Sequence, residues 1–170
     1  MIFVTLGTHQ DPFERLVGGL DGFAGEELVV QHGHSPAPAC ADRTFDFLPF
    51  ADMLEFVQTA RVVVTHAGVG SILMCLKNGR TPLVVPRHQA LGEHVDDHQV
   101  ELTHALAKAG KVIPVWDVAM FRQLAAVTWS PVFAREPIKH ELHTAVRNAL
   151  KPTPSRWRWR GGSHARATAA

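Results

Sequence analysis

The stretch VVVTHAGVGS, residues 62–71, decides the fold of this chain. Three consecutive valines are typical of a strand buried on both faces, and the apolar segment after Ser71 continues as a helix. A strand that passes through a glycine-rich turn into a helix leaves backbone N–H groups without intrahelical partners, which together form a site for phosphate. Gly68 and Gly70 let a ligand approach the backbone closely, and Ser71 adds a hydroxyl donor. His66 lies at the carboxyl end of the strand, where open α/β sheets bind ligands, so the stretch predicts a phosphate-bearing small molecule.

The sequence on both sides of this stretch alternates strand and helix signals. Strands are predicted at 2–6, 27–31, 44–48, 61–65, 83–85 and 111–115. Helices are predicted from near Pro12, at 51–59, 71–78 and 93–109, and near 117–127 and 136–149. This alternation predicts an α/β fold, a Rossmann-like doubly wound parallel sheet over residues 1–150, with a basic, Trp-containing flexible tail over 151–170.

Composition and charge exclude several classes of protein. Apolar residues make up 46% of the 170 residues and charged residues 19%, as in one ordinary globular domain, and no apolar run reaches the ~20 residues of a membrane span. Residues 1–6 lead into a glycine turn without a basic leader, and the two cysteines suit a reducing compartment, so we expect a cytoplasmic protein. Four of the 17 basic residues and none of the 16 acidic residues follow residue 155, which leaves 1–155 at −3 and disfavours nucleic acid as a partner.

Three further segments offer groups for binding or catalysis. Thr5-Leu6-Gly7-Thr8-His9 is a second strand-to-helix turn that can lie beside 65–71 and grip a diphosphate, although ordinary βα turns also use such residues. The segment 86–99, PRHQALGEHVDDHQ, indicates recognition of ligand hydroxyls, with a solvated polar helix face as the alternative. His94 and His98 are spaced as a conceivable metal pair, but no third ligand stands at a matching spacing and no metal is expected. The segment 45–50, FDFLPF, offers either the wall of a base pocket or core packing.

Taken in order, these segments resemble the C-terminal, UDP-sugar-binding half of GT-B glycosyltransferases of family 28, the MurG-like group. VTLGTHQDPFERL, VVVTHAGVGSIL and PRHQALGEHVDDHQ carry the resemblance, which covers roughly residues 1–150. It is strongest to the soluble donor-binding subunits of two-component transferases, such as those of exopolysaccharide and dolichol-linked glycan synthesis. The resemblance implies a set of donor-binding residues: Gly7, Thr8, His66, Gly68, Gly70 and Ser71 around the diphosphate, Phe50 beside the uracil, and His98 and Gln99 on the hexose.

One position departs from the family pattern. Related donor sites often carry a Glu three residues after Ser71, where it holds the ribose hydroxyls, and this chain has Met74. A thioether does not replace those hydrogen bonds, so ribose recognition has to come from another residue.

The resemblance also implies a mechanism and a partner. An acceptor oxygen displaces UDP from the anomeric carbon with inversion, and helix-start N–H groups, Ser71 and a protonated or donating His66 stabilise the leaving diphosphate without a cofactor. The general base of the family usually belongs to the other half, so His9 is a fallback base within this chain. A membrane-associated subunit is then expected to bring a lipid-linked acceptor and to recruit this chain to the inner face of the membrane.

Other interpretations stay open at this point. The Arg/Trp segment 156–160 fits an anionic bilayer surface, a partner or a disordered tail equally well. Homo-oligomerisation is a further possibility for an isolated half. The rival functions are a non-catalytic nucleotide-binding or regulatory subunit and a nucleotide-sugar epimerase-like protein, whose two halves normally share one chain.

Overall fold

A computed structural model describes residues 1–23 and 25–126 as one parallel six-stranded sheet flanked by helices. The strands are β1 (Ile2–Thr5), β2 (Leu28–Gln31), β3 (Arg43–Phe45), β4 (Val62–His66), β5 (Leu83–Val85) and β6 (Ile113–Pro114). The order in the sheet is β3-β2-β1-β4-β5-β6, so the chain builds outward from β1, returns to its other side and builds outward again. The predicted Rossmann-like α/β fold is confirmed, and a reversal point lies between β1 and β4.

The described residues include five helices, of which four connect strands and the fifth follows β6. They are α1 (Glu14–Gly19), α2 (Phe50–Thr59), α3 (Val69–Lys77), α4 (His98–Lys108) and α5 (Phe121–Ala126), with short 3-10 turns at Leu20–Phe23, Gln89–Leu91 and Val118–Met120. The helix predicted at 136–149, the domain boundary at 150 and the tail over 151–170 lie outside the described residues.

Apolar side chains cover both faces of the sheet, as the runs of valine predicted. On β1, Ile2 and Val4 pack into a cluster with α1 and α5, whereas Phe3 packs on the opposite face against α2 and α3. The same alternation holds on β4, where Val62 and Val64 share one face with α1 and Val63 the other. A further cluster lies under α3 and α4. Because both faces of the sheet are covered, polar groups can reach solvent mainly at the ends of the strands, and above all at their carboxyl ends.

Two predicted boundaries are wrong, each for a local reason. The helix predicted from Glu93 begins at His98, because Gly92 adopts a left-handed φ of 68° and residues 92–97 form turns and bends. The strand predicted at 44–48 covers Arg43–Phe45. The last hydrogen bonds to this segment come from the N–H groups of His32 and Gly33 to the carbonyls of Phe45 and Asp46, and Pro49 then caps α2.

None of the helices in the described part of the chain is long and apolar enough to cross a membrane. Both cysteines are free thiols, Cys40 exposed and Cys75 buried. Burial raises the pKa of the Cys75 thiol to about 12, so this residue acts as a small apolar side chain on the buried face of α3.

Candidate functional site

The turns that follow β1 and β4 lie side by side at the reversal point of the sheet. The register pairs Thr5 with Thr65, which places both carboxyl ends at the same height. A polar pocket of about 490 Å³ opens there. Its lining residues come from the turn after β1, the end of β4 and the start of α4: Thr8, His9, Gln10, Asp11, His66 and Gln99. Ligands of doubly wound sheets bind at this position, and four of the lining residues (Thr8, His9, His66 and Gln99) were predicted.

The ring of His66 lies between two glycines. A Cβ atom on Gly7 or on Gly68 would overlap the imidazole, and Gly7 also has a left-handed φ of 81°. The glycine pattern predicted that Gly68 lets a ligand approach, but in the structure the imidazole of His66 occupies the space that a Cβ on Gly68 would need. Gly70 differs, since nothing lies within 4 Å of the Cβ position there.

The imidazole of His66 is neutral at pH 7 in this environment. Burial lowers the pKa of His66 from 6.5 to about 4, the positive charge of Arg87 acts in the same direction, and a hydrogen bond with the Thr5 backbone opposes them. Of the two forms that the sequence analysis allowed, the structure favours the neutral donor over the protonated ring. A neutral imidazole stabilises a developing anion through a single N–H.

Helix α3 begins directly behind this ring. Gly68 is its N-cap and makes no side-chain capping bond. Gly70 and Ser71 lie in the first turn, where N–H groups have no intrahelical acceptor. The free N–H groups, the open Cβ position of Gly70 and the hydroxyl of Ser71 give the turn the features of an anion site.

His9 reaches the pocket with polar partners on one side. The backbone N–H of Asp11 donates to His9 Nδ1 at 3.2 Å, and the Asp11 carboxylate lies 3.4 Å from the same nitrogen. The ring of His94 packs against that of His9, with centroids 5.0 Å apart. With Nδ1 as the acceptor, the neutral ring carries its proton on Nε2. Nε2 has a free lone pair and can act as a base only in the other tautomer, in which Nδ1–H donates to the Asp11 carboxylate.

The start of α4 divides the predicted sugar-binding pair. Gln99 lines the pocket, and its Oε1 accepts from the backbone N–H of Arg87 at 3.2 Å. His98 does not line the pocket, because its Nδ1 is 2.8 Å from a carboxylate oxygen of Asp96 and its side chain is 59% exposed. His94 Nδ1 lies 3.1 Å from the other oxygen of that carboxylate. No three His, Cys, Asp or Glu residues converge as metal ligands within 1–23 and 25–126.

The residues of the predicted base pocket follow β3, the outermost strand on the β2 side of the sheet. Phe50 is the first residue of α2 and 69% exposed, and Phe47, three residues earlier, is also exposed. Neither residue lines the described pocket. Phe45, by contrast, packs against Phe56 in the core. Met74 also packs into that core cluster, so its side chain is engaged in packing rather than offered to a ligand.

Sequence reasoning missed the charged network behind the pocket. Glu93 accepts from Arg15 Nε at 2.8 Å and Nη2 at 2.9 Å, and from the backbone N–H of His88 at 2.9 Å. Arg15 also donates to the carbonyl of Pro86. Arg87 is 1% exposed and lies with its guanidinium 4.4 Å from the ring centroid of Phe13. The segment 86–99 signalled polar chemistry, but spacing alone does not separate groups that face a ligand from groups that hold the loop.

Comparisons with known proteins agree with this architecture. The family model described as "Glycosyltransferase family 28 C-terminal domain" matches residues 1–121. The human protein "UDP-N-acetylglucosamine transferase subunit ALG13" is 32% identical over 123 residues, and the mouse protein of the same name is 35% identical over 122 residues. Each alignment covers 64% of this chain but only 10% of the relative, so the chain spans about a tenth of the curated relatives it matches.

Two solved structures share the fold at low sequence identity. A glycosyltransferase of kitacinnamycin superposes with a TM-score of 0.52 at 22% identity, over 88% of this chain and 38% of that protein. The calicheamicin glycosyltransferase CalG4 superposes with a TM-score of 0.52 at 17% identity, over 87% and 39%. This chain therefore matches a part of each enzyme, as the GT-B resemblance implied. With a family model that matches 121 of its residues, the chain belongs to the glycosyltransferase family 28 C-terminal domain family.

Proposed function

We propose that this chain binds the UDP-sugar donor of an inverting hexosyl transfer and acts with a second subunit that supplies the acceptor. The observation that carries the proposal is the pocket between the β1 and β4 turns, which is lined by His66, His9 and Gln99. The start of α3 does not line this pocket, but its N-cap Gly68 adjoins the His66 ring that does. A helix N-terminus suits a diphosphate, and a side-chain amide both donates to and accepts from a sugar hydroxyl.

The proposed chemistry follows from what each wall of the pocket offers. The acceptor oxygen attacks the anomeric carbon, its proton passes to a base, and the bond to the UDP oxygen breaks. Negative charge then grows on the diphosphate, where the α3 N–H groups, Ser71 and neutral His66 donate. His9, with Asp11 at Nδ1, is the candidate base within this chain.

The donor is proposed as UDP-N-acetylglucosamine or a related UDP-hexose. The name of the ALG13 relatives supports the nucleotide and the subunit arrangement. The superposition on about two fifths of each solved glycosyltransferase supports the assignment of this domain to one part of such an enzyme. A lipid-linked saccharide as acceptor, and recruitment of this chain to a membrane by its partner, complete the proposal.

Calorimetry with UDP, UDP-N-acetylglucosamine, UDP-glucose and NAD tests the donor site. UDP and at least one UDP-sugar should bind. The His66→Ala variant should bind UDP more weakly, whereas the control variant His104→Ala, at an exposed position, should bind UDP with unchanged affinity. Binding of NAD without UDP would overturn the assignment.

Co-expression with the product of the neighbouring reading frame tests the catalytic role. Transfer from a UDP-sugar to a lipid-linked acceptor should require both chains, and the anomeric configuration of the product should be inverted. His9→Ala should retain UDP binding and lose most of the transfer rate. Binding of UDP-sugar with no transfer under any pairing would favour the non-catalytic, regulatory alternative.

A further inference from the structure

Arg87 is the largest fully buried side chain among the described residues. It follows the end of β5, and its Nη1 donates to three backbone carbonyls: Asp11 at 3.0 Å, Pro12 at 3.3 Å and Glu93 at 3.1 Å. Two of these carbonyls belong to the turn after β1, and the third belongs to the loop before α4. One guanidinium therefore ties together two loops that meet at the pocket.

The charge of Arg87 has no counter-ion in contact with it. Across residues 1–23 and 25–126, no carboxylate lies within salt-bridge distance of its guanidinium, and its Nε has no hydrogen-bond partner. The nearby carboxylate of Glu93 instead accepts from Arg15 and His88. Burial of this cation is costly and lowers the pKa of Arg87 below its ordinary value, although the negative charges of Glu93 and Asp11 act in the opposite direction without touching it.

The same side chain is coupled to the pocket through two of the lining residues. The Arg87 backbone N–H is held by Oε1 of Gln99, and the carbonyl of Asp11 accepts from its guanidinium. Its positive charge also acts on His66, together with the charges of His9 and His94 when those rings are protonated.

We propose that Arg87 is a positioning residue that fixes the two walls of the donor pocket and supplies the buried positive field that a diphosphate neutralises. This inference rests on the proposed function, because it assigns the counter-charge to the donor. The ligand class is a nucleoside diphosphate, and the positive charge of Arg87 does not strengthen the binding of a ligand that has no phosphate. The affinity should therefore depend on the number of phosphates as well as on the base.

Two variants separate the charge of Arg87 from its hydrogen bonds. Arg87→Gln keeps an N–H donor for the carbonyls and removes the charge, whereas Arg87→Lys keeps the charge and loses the planar fork. Arg80→Met is the matched control, because Arg80 precedes β5 at the opposite edge of the sheet. Calorimetry with UDP, UMP and uridine gives the phosphate dependence, and NMR titration of His66 reports the field without any ligand.

In Arg87→Gln the ratio of UDP to uridine affinity should fall roughly tenfold, the size expected of one charge acting through a protein interior. The pKa of His66 should rise in the same variant. Arg87→Lys and Arg80→Met should keep both the ratio and the His66 pKa near the values of the unmodified chain. If Arg87→Gln does not fold, a loss of phosphate dependence in folded Arg87→Lys would overturn the proposal.

A folded Arg87→Gln variant with an unchanged affinity ratio and an unchanged His66 pKa would overturn it equally. Failure of the unmodified chain to bind UDP would instead remove the proposed function. In that case the His66 titration still decides whether the field of Arg87 reaches the pocket.

Discussion

The imidazole of His66 occupies the centre of the site because two glycines leave room for it. Gly7 and Gly68 come from the turns after two neighbouring strands, and a methyl group on either would overlap the ring. The two glycines of 62–71 thus have different roles, and the sequence pattern does not show which glycine has which role. One glycine makes space for a side chain of the protein, and another, Gly70, leaves its Cβ position open.

Alanine substitutions at Gly68 and at Gly70 distinguish a glycine that makes room for a side chain from one that makes room for a ligand. Gly68→Ala should destabilise the fold by about 1–3 kcal/mol, as overpacking of a filled site does. Gly70→Ala should leave stability unchanged or raise it by up to about 1 kcal/mol, since alanine favours a helix, but it should weaken UDP binding. Urea unfolding and calorimetry on both variants measure the two effects. Equal stability of the two variants would contradict the position of the His66 ring.

The lowered pKa of His66 predicts a pH-dependent stability. Between its unfolded pKa of 6.5 and its folded pKa of about 4, the unfolded chain binds the proton and the folded chain does not. The free energy of unfolding should therefore fall as the pH drops through this window. Urea unfolding at pH 7.5, 6 and 5 measures the slope, which His66→Gln should reduce. The exposed His34→Gln variant controls for loss of an imidazole, and an equal slope in His66→Gln would contradict the assignment.

The loop between β5 and α4 owes its shape to side chains rather than to regular backbone pairing. The sequence suggested a helix from Glu93, and the acidic and amide residues there do suit a helix start. Glu93 instead accepts a bidentate bond from Arg15, 78 positions earlier in the chain, and the helix begins five residues later. Partners so distant in sequence have no local signal.

A double-mutant cycle tests this long-range pair. Glu93→Gln should destabilise the fold by about 2 kcal/mol, because it removes a part-buried charged partner of Arg15. Arg15→Met in the same background should cost less than it does alone, with a coupling energy of about 1–3 kcal/mol between residues in contact. Urea unfolding of the four proteins gives the value. Strict additivity would show that the pair does not hold the loop.

Local sequence patterns predicted the strands and their order of appearance because the central strands β1, β2, β4 and β5 are buried on both faces. They also predicted that the turns after β1 and β4 meet, since parallel strands end at one edge. His98 and Gln99 are the instructive case, because the resemblance paired them and the structure separates them. Only Gln99 lines the pocket, as His98 turns to Asp96. The orientation of adjacent residues at a helix start depends on partners that the pattern does not specify.

At the scale of the whole molecule, the pocket lies on the side of the sheet where the strands end, and the other side, where they begin, has no predicted site residue. Every strand is parallel, so all carboxyl ends share one side with the pocket. UDP should therefore slow hydrogen exchange in 6–11, 66–71 and 86–99, and leave 25–27, 78–82 and 109–112 unchanged. Exchange mass spectrometry with and without UDP measures this. Protection confined to the second set would contradict the site.

The common direction of the strands has a practical consequence for binding experiments in which the protein is immobilised on a sensor. Gly79 and Gly110 lie in turns at the edge away from the pocket, and nothing lies within 4 Å of a Cβ on either. A short tag or a linker placed at either turn would anchor the chain to a sensor with its binding face directed into solution. Immobilised in that way, one preparation would serve for nucleotides and for a second subunit in succession.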